Sequence, residues 1–247
     1  MKLLLLLLIP NLIYSSEFIN FKNPKVQEIV RMELSKSKFT IKDLEKIKRI
    51  NLGSLNIEDI SFLKNFKNLE RLVLRCNKIK DLSPLKNLSK AIFIDLQDNK
   101  IEDISALKNL KTLEELDLND NKIKNISILK SLENINFLNL ESNQIKDISA
   151  LSNLKKLSFL SVYDNKIENI SALKKLTKLS TLNLSTNKIK DIKVLENLLN
   201  LVKLDLSDNK IKDISSLKNL NKLNYINIEY NKVKDFSFIK NVKKVYK

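Results

Sequence analysis

The sequence predicts a curved α/β solenoid with a parallel β-sheet on its concave face, short helical turns and loops on its convex face, and a helical cap at the N-terminal end. Three observations carry that reading. Asn77, Asn99, Asn121, Asn143, Asn165, Asn187, Asn209 and Asn231 recur at an unbroken interval of 22 residues. Each stands in the same apolar frame, as in LERLVLRCNKIKDLSPLKNL from Leu69 and LEELDLNDNKIKNISILKSL from Leu113. The chain also has one glycine in 247 residues, so it must turn by some repeated device other than glycine corners. Self-similarity at a fixed period of this length marks stacked repeat units.

The elements follow in chain order. Residues 1–16 read as a signal peptide: Lys2 is a positive start, Leu3 to Ile9 an apolar stretch and Pro10-Asn11 a break. Tyr14-Ser15-Ser16 then offers small residues, with cleavage open after either serine. A buried N-terminal strand is the alternative. The stretch is shorter than the roughly 20 residues of a bilayer span, and no later one is long enough, so no transmembrane segment is expected. Cys76 is the single cysteine, so an intrachain disulfide is excluded and packing alone must stabilise an exported chain. Residues 17–46 are the expected cap. Asn23-Pro24 starts a helix, Val26, Ile29, Val30 and Leu34 follow at helical spacing, and Thr40 to Asp43 looks like a second cap.

Residues 47–247 hold nine copies and part of a tenth, placed at Val245; the first, from Ile47, has Leu55 where the asparagine should be. In the copy from Ile135 the apolar set is Ile135, Leu138, Leu140, Ile145, Ile148, Leu151 and Leu154. The segment around Leu138-Asn139-Leu140 alternates as a strand does, and successive strands should stack about 4.8 Å apart. One copy cannot bury its own apolar face, whereas stacked copies share a core. The asparagines are expected to be structural, satisfying backbone groups of their own turn and the next. In segments such as DISALKNL from Asp103, Asp and Ser suit the start of a short helical turn.

This pattern resembles the 22-residue class of leucine-rich repeats, making the expected fold a leucine-rich repeat solenoid. Export signal, cap (Phe21 to Leu52) and repeats in this order also resemble internalin-like secreted bacterial proteins. The resemblance is to a minimal form of that family, in which no immunoglobulin-like extension or C-terminal sorting signal is expected after the repeats. The resemblance implies an exported recognition protein, secreted or at the cell surface or in the periplasm of a bacterium, with adhesion or host interaction among its roles.

Charge is unevenly placed. The formal net charge is +16, yet the four open-face positions of each strand carry ten acids (Asp95, Asp98, Glu115, Asp117, Asp120, Glu141, Asp164, Asp205, Asp208 and Glu229) against Arg49, Arg71, Arg75 and Lys203. An acidic concave face would repel a nucleic-acid backbone, and nothing suggests reading of base edges, so nucleic acid is not an expected partner. Lysines collect after the asparagines (Lys78, Lys100, Lys122, Lys166, Lys188, Lys210 and Lys232, interrupted by Gln144) and on the convex side, as at Lys86 and Lys108. Neighbouring lysines about 5 Å apart repel by about 0.8 kcal/mol in water, less with salt, so such ladders are tolerable as solvated flanks.

Candidate partner-binding residues are departures from the common letters of the frame: Phe93, Glu115, Phe137, Glu141, Phe159, Tyr163, Tyr225 and Tyr230. Exposed rings beside a few charges are the usual material of binding hot spots; the alternative is that the rings only cover strand backbone. Phe137 and Phe159 should lie about 5 Å apart on adjacent strands. With no histidine and no glycine-rich phosphate loop, no catalytic residue, metal or cofactor is expected, nor enzymatic activity. The expected function is binding of a protein or glycan partner through the concave face, by a monomer. Alternatives are an intracellular scaffold regulating an enzyme such as a phosphatase, and an envelope protein holding anionic polymers by its lysine ladders.

Overall fold

Three-residue strands recur because each frame offers one short alternating segment, with an apolar residue inward between two outward side chains. The computed structural model describes residues 12–15 and 18–247; the expected signal peptide falls outside them except for Leu12–Ser15. Ten such strands form one parallel sheet in chain order: β3 (Arg49–Asn51), β4 (Arg71–Val73), β5 (Phe93–Asp95), β6 (Glu115–Asp117), β7 (Phe137–Asn139), β8 (Phe159–Ser161), β9 (Thr181–Asn183), β10 (Lys203–Asp205), β11 (Tyr225–Asn227) and β12 (Lys244–Tyr246). From β3 to β11 equivalent residues pair 22 positions apart, as Leu138 with Leu160. The seven apolar residues of the copy from Ile135 are all buried. Behind the sheet, 3-10 turns such as Ser105–Asn109 bond at i to i+3, Leu107 N–H to Ile104 O at 3.0 Å. Asp103 accepts the Ser105 N–H at 2.8 Å, the predicted start.

The corner device is a left-handed residue ahead of each asparagine. Cys76, Asp98, Asp120, Ser142, Asp164, Thr186, Asp208 and Tyr230 have φ between 47° and 56°, a region that asparagine and aspartate tolerate better than most side chains. This is how the chain bends with a single glycine.

The asparagine then ties two copies together. Asn143 Nδ2 donates to Leu118, Leu140 and Glu141 carbonyls at 3.0, 3.2 and 2.9 Å, and its Oδ1 accepts Ile123 N–H at 2.9 Å. These bonds reach the preceding turn and not the next one expected from the sequence, because each corner lies over the corner of the copy before it. That explains Leu55: its copy has no earlier repeat to hold.

At the N-terminal end β1 (Leu12–Ser15) pairs antiparallel with β2 (Phe18–Phe21), and β2, α1 (Pro24–Leu34) and α2 (Ile41–Leu44) close the core. Asn23 Oδ1 accepts Lys25 N–H at 3.0 Å to start α1, and Val26 and Val30 are buried. Asp43 Oδ2 accepts Thr40 N–H at 3.0 Å to start α2. Phe21 meets Phe39 and Phe62 at centroid distances of 6.0 and 5.2 Å, which closes the core below the first repeat.

At the other end β12 joins early: Lys244 pairs with Tyr225, an offset of 19 residues rather than 22. Val245 therefore sits beside Ile226 in the strand, not at the frame start the sequence assigned to it. Phe236 and Phe238 pack against the core. Tyr246 is beside Asn227 on the outward side of the sheet.

Candidate binding face

The outward residues form columns because consecutive strands pair in register. The first column runs Arg49, Arg71, Phe93, Glu115, Phe137, Phe159, Thr181, Lys203, Tyr225, Lys244. Four predicted site residues, Phe93, Glu115, Phe137 and Phe159, are thus contiguous. The Phe137 and Phe159 rings stack with centroids 4.3 Å apart and planes 10° from parallel. The Arg71 guanidinium lies 4.0 Å from the Phe93 centroid, and its Nη1 is 3.9 Å from Glu115 Oε1. Both charges of that pair are about half exposed, so its energetic worth is small; its effect is to align a cation, a ring and an anion in one row.

These rings are half-buried, because each lies against its neighbour in the column. Thr181 is shorter, and beside it opens a groove of about 600 Å³ with Phe159 on one side and Tyr225 on the other. Lys203 and Lys244 line it, with Glu141 and Asp205 also at its wall. Lys244 was missed in the sequence because the 22-residue count places it behind the sheet; the closely spaced Val242 and Val245 were the available signal. Tyr225 also meets Tyr246, centroids 5.6 Å apart. Burial, then Asp205, pushes the Tyr225 phenol above its ordinary pKa.

In the second column, acids counted as free charges have structural work. Asp95, Asp117 and Asp205 accept the N–H two residues on, from Gln97, Asn119 and Ser207 at 3.1, 3.0 and 3.0 Å. Asn139, Asn183 and Asn227 do the same in their copies. Burial raises the Asp117 carboxyl above the usual range, and the negative charges of Asp95 and Glu141 add to this against the Asn119 N–H and the Asn139 amide. Glu141 accepts the Ser161 hydroxyl, which positions it beside the ring pair's strands. Tyr163 is exposed on the same outer column. Tyr230 is 81% exposed at the left-handed corner, so it lies at the rim and apart from the ring row.

Among the described residues no helix is long and apolar enough to cross a membrane. The converging groups (rings, ammonium groups, a guanidinium and carboxylates) are suited to holding a partner's apolar and charged side chains.

A family model of leucine-rich repeats in two copies matches residues 41–87, 92–131, 111–153, 133–175, 155–197 and 199–241. Comparison with curated proteins gives no match. Among solved structures, internalin C2 of Listeria monocytogenes is 35% identical with a TM-score of 0.80, over 83% of this chain and 92% of that one. An internalin (inlF) of the same species is 30% identical with a TM-score of 0.60, over 91% and 81%. The plant peptide hormone receptor RGFR1 in complex with RGF2 is alike in fold alone, at 22% identity and a TM-score of 0.59, over 71% and 34%.

Proposed function

From the premise that this chain belongs to the leucine-rich repeat family and is internalin-like, we propose that it is an exported binding protein that takes a protein partner on its concave face. The observation that carries the reading is the Phe137–Phe159 stack, continued by Glu115, Phe93 and Arg71 on one side and by the Thr181 groove on the other. Half-buried rings flanked by charge present apolar area at little entropic cost, since two χ angles fix each ring, and this is the make-up of interface anchors. The same fold in RGFR1 is found in complex with RGF2. A peptide side chain seated over Thr181 would meet rings at both sides and ammonium groups at Lys203 and Lys244.

Export fits residues 1–16 as a signal, 17–46 as the cap and 47–247 as the repeats, with the protein acting outside the producing cell or on its surface, in adhesion or host interaction. Cleavage after Ser15 or Ser16 would remove β1, yet β2 stays held through Ile19 N–H to Phe39 O at 3.0 Å and the buried Phe21. Mass spectrometry of the N-terminus tests this: retention of Met1 to Ser15 on a cytoplasmic protein refutes export. For the face, full-length wild type and Phe137→Ala/Phe159→Ala are compared as baits in cross-linking capture from extracellular and host-surface protein. The variant should fold as wild type and lose the captured species; an unchanged set of captured species places the site elsewhere.

A further inference from the structure

The flank of the last copies holds a groove that the concave-face reading leaves unused. One lysine column follows the ladder asparagines directly, and a second lies two residues further on. Gln144 interrupts the first; Glu102 and Glu168 interrupt the second. Only after Asn187, Asn209 and Asn231 do both hold lysine in three successive copies: Lys188 and Lys190, Lys210 and Lys212, Lys232 and Lys234. Lys193 adds a further cation where Ser83, Ser105, Ser127, Ser149, Ser171, Ser215 and Ser237 stand in other copies.

A groove of about 750 Å³ opens there, lined by Lys190, Lys193, Lys210, Lys212, Lys218 and Lys232. Among the described residues none of these six ammonium groups has a carboxylate within 4.0 Å; the lysine ion pairs are those of Lys36, Lys46, Lys48 and Lys67. Three carboxylates also line the groove, Asp191, Glu196 and Asp213, of which Asp191 accepts Lys193 N–H and Asp213 accepts Ser215 N–H, both at 2.8 Å. Six ammonium groups against three carboxylates leave the field in the groove positive, and concave walls concentrate it. No ring lines it, so nucleobases would find nothing to stack on, while Asn219 offers its amide and Ser215 and Ser216, whose hydroxyls donate to Asp213 and to Ile192 O, offer oxygen lone pairs as acceptors.

We propose that this groove binds a glycan chain bearing anionic ester groups, sulfate or phosphate, laid across the last three copies with its esters on the lysines and its sugar hydroxyls on the serines and Asn219. The site is independent of the concave face, so the Phe137→Ala/Phe159→Ala variant retains it.

Titration calorimetry with the full chain tests this, using three probes: a heparin decasaccharide, a phosphomannan fragment and a dT oligomer of matched length. At least one glycan should bind, more weakly as salt rises, and whichever binds more tightly identifies the ester. Lys190→Gln/Lys210→Gln/Lys212→Gln should weaken binding by about tenfold or more. Lys78→Gln/Lys100→Gln/Lys122→Gln removes the same charge from the same flank and should leave binding within about twofold. Binding of neither glycan, equal losses in the two triple variants, or a dT oligomer held as tightly as the glycan would each overturn the assignment.

Discussion

Asn143 and Leu118 are 25 residues apart in sequence, yet the Asn143 amide donates to the Leu118 carbonyl at 3.0 Å. The same bond joins Asn121 to Leu96 and Asn165 to Leu140, at 3.0 and 2.9 Å. Cohesion of this solenoid therefore comes from two sources: the shared apolar core, and a side-chain ladder in which each copy satisfies the corner of the one before it. The ladder also keeps the corners in register, which is what turns side chains of separate copies into columns.

Asn143→Leu tests the ladder. The substitution leaves the buried Ile123 N–H without its partner and takes one of two donors from the Leu118 carbonyl, which keeps the Asn121 amide at 3.1 Å. The expected loss is roughly 1 to 3 kcal/mol of unfolding free energy, the range for an orphaned buried polar group, measured by urea denaturation. An unchanged midpoint would contradict the ladder.

Thr186 is the β-branched residue among the left-handed corners, at φ 49°, where Cβ crowds the following carbonyl. Thr186→Asn should stabilise the chain by about 1 kcal/mol, since asparagine reaches this region with less strain. The check is the same denaturation curve. Asp164→Asn, where aspartate already tolerates the conformation, should shift it far less.

Most of the scaffold was legible in the sequence because its cause is local and repeated. The spacing of Leu138 and Leu140 against Ile145, Ile148, Leu151 and Leu154 dictates which side chains turn inward, and all are buried. The ring pair was legible for the same reason: equal frame positions in adjacent copies must be neighbours. What escaped was anything that breaks the period or depends on dihedrals. The early entry of β12 moved Lys244 and Tyr246 onto the concave side, which no extrapolation of 22 residues shows. The second-column aspartates looked like open-face charge because their bonds to the backbone two residues on arise from the shape of the strand end. The direction of the asparagine bonds needed the three-dimensional stagger of the corners.

Asp117 gives a pH-dependent outcome. Its carboxyl pKa is raised, chiefly by burial, above the value of 3.8 taken for an unperturbed aspartate. A raised folded-state pKa means that the protonated form is favoured on folding, so stability is lost as pH rises through it. Asp117→Asn should therefore stabilise the chain at neutral pH, with the gain shrinking as pH falls to about 3.8 and below. Asparagine keeps the bond to Asn119 N–H, as Asn139 does with Glu141. Its new amide replaces the oxygen that accepts Asn139 Nδ2 at 3.3 Å, so that long bond is lost, and can instead donate to Asp95. Thermal melts of both proteins across acid to neutral pH read the difference; a variant that is less stable at neutral pH would show that the charge is not a burden.

The Phe137–Phe159 stack should register as an energetic coupling. Each ring is half-buried, and part of what covers it is the other ring at 4.3 Å. Truncating one ring loses that contact together with its own burial, while truncating the second then loses only the burial that remains. The two single alanine variants and the double variant should thus be non-additive by about 0.5 to 1.5 kcal/mol, as for offset-stacked pairs. The cycle on unfolding free energy reports the stack without any partner. The same cycle on binding, once a partner is in hand, reports whether that partner uses the two rings as one surface: a coupling that grows in the complex means it spans both, whereas additive binding losses mean it touches them separately.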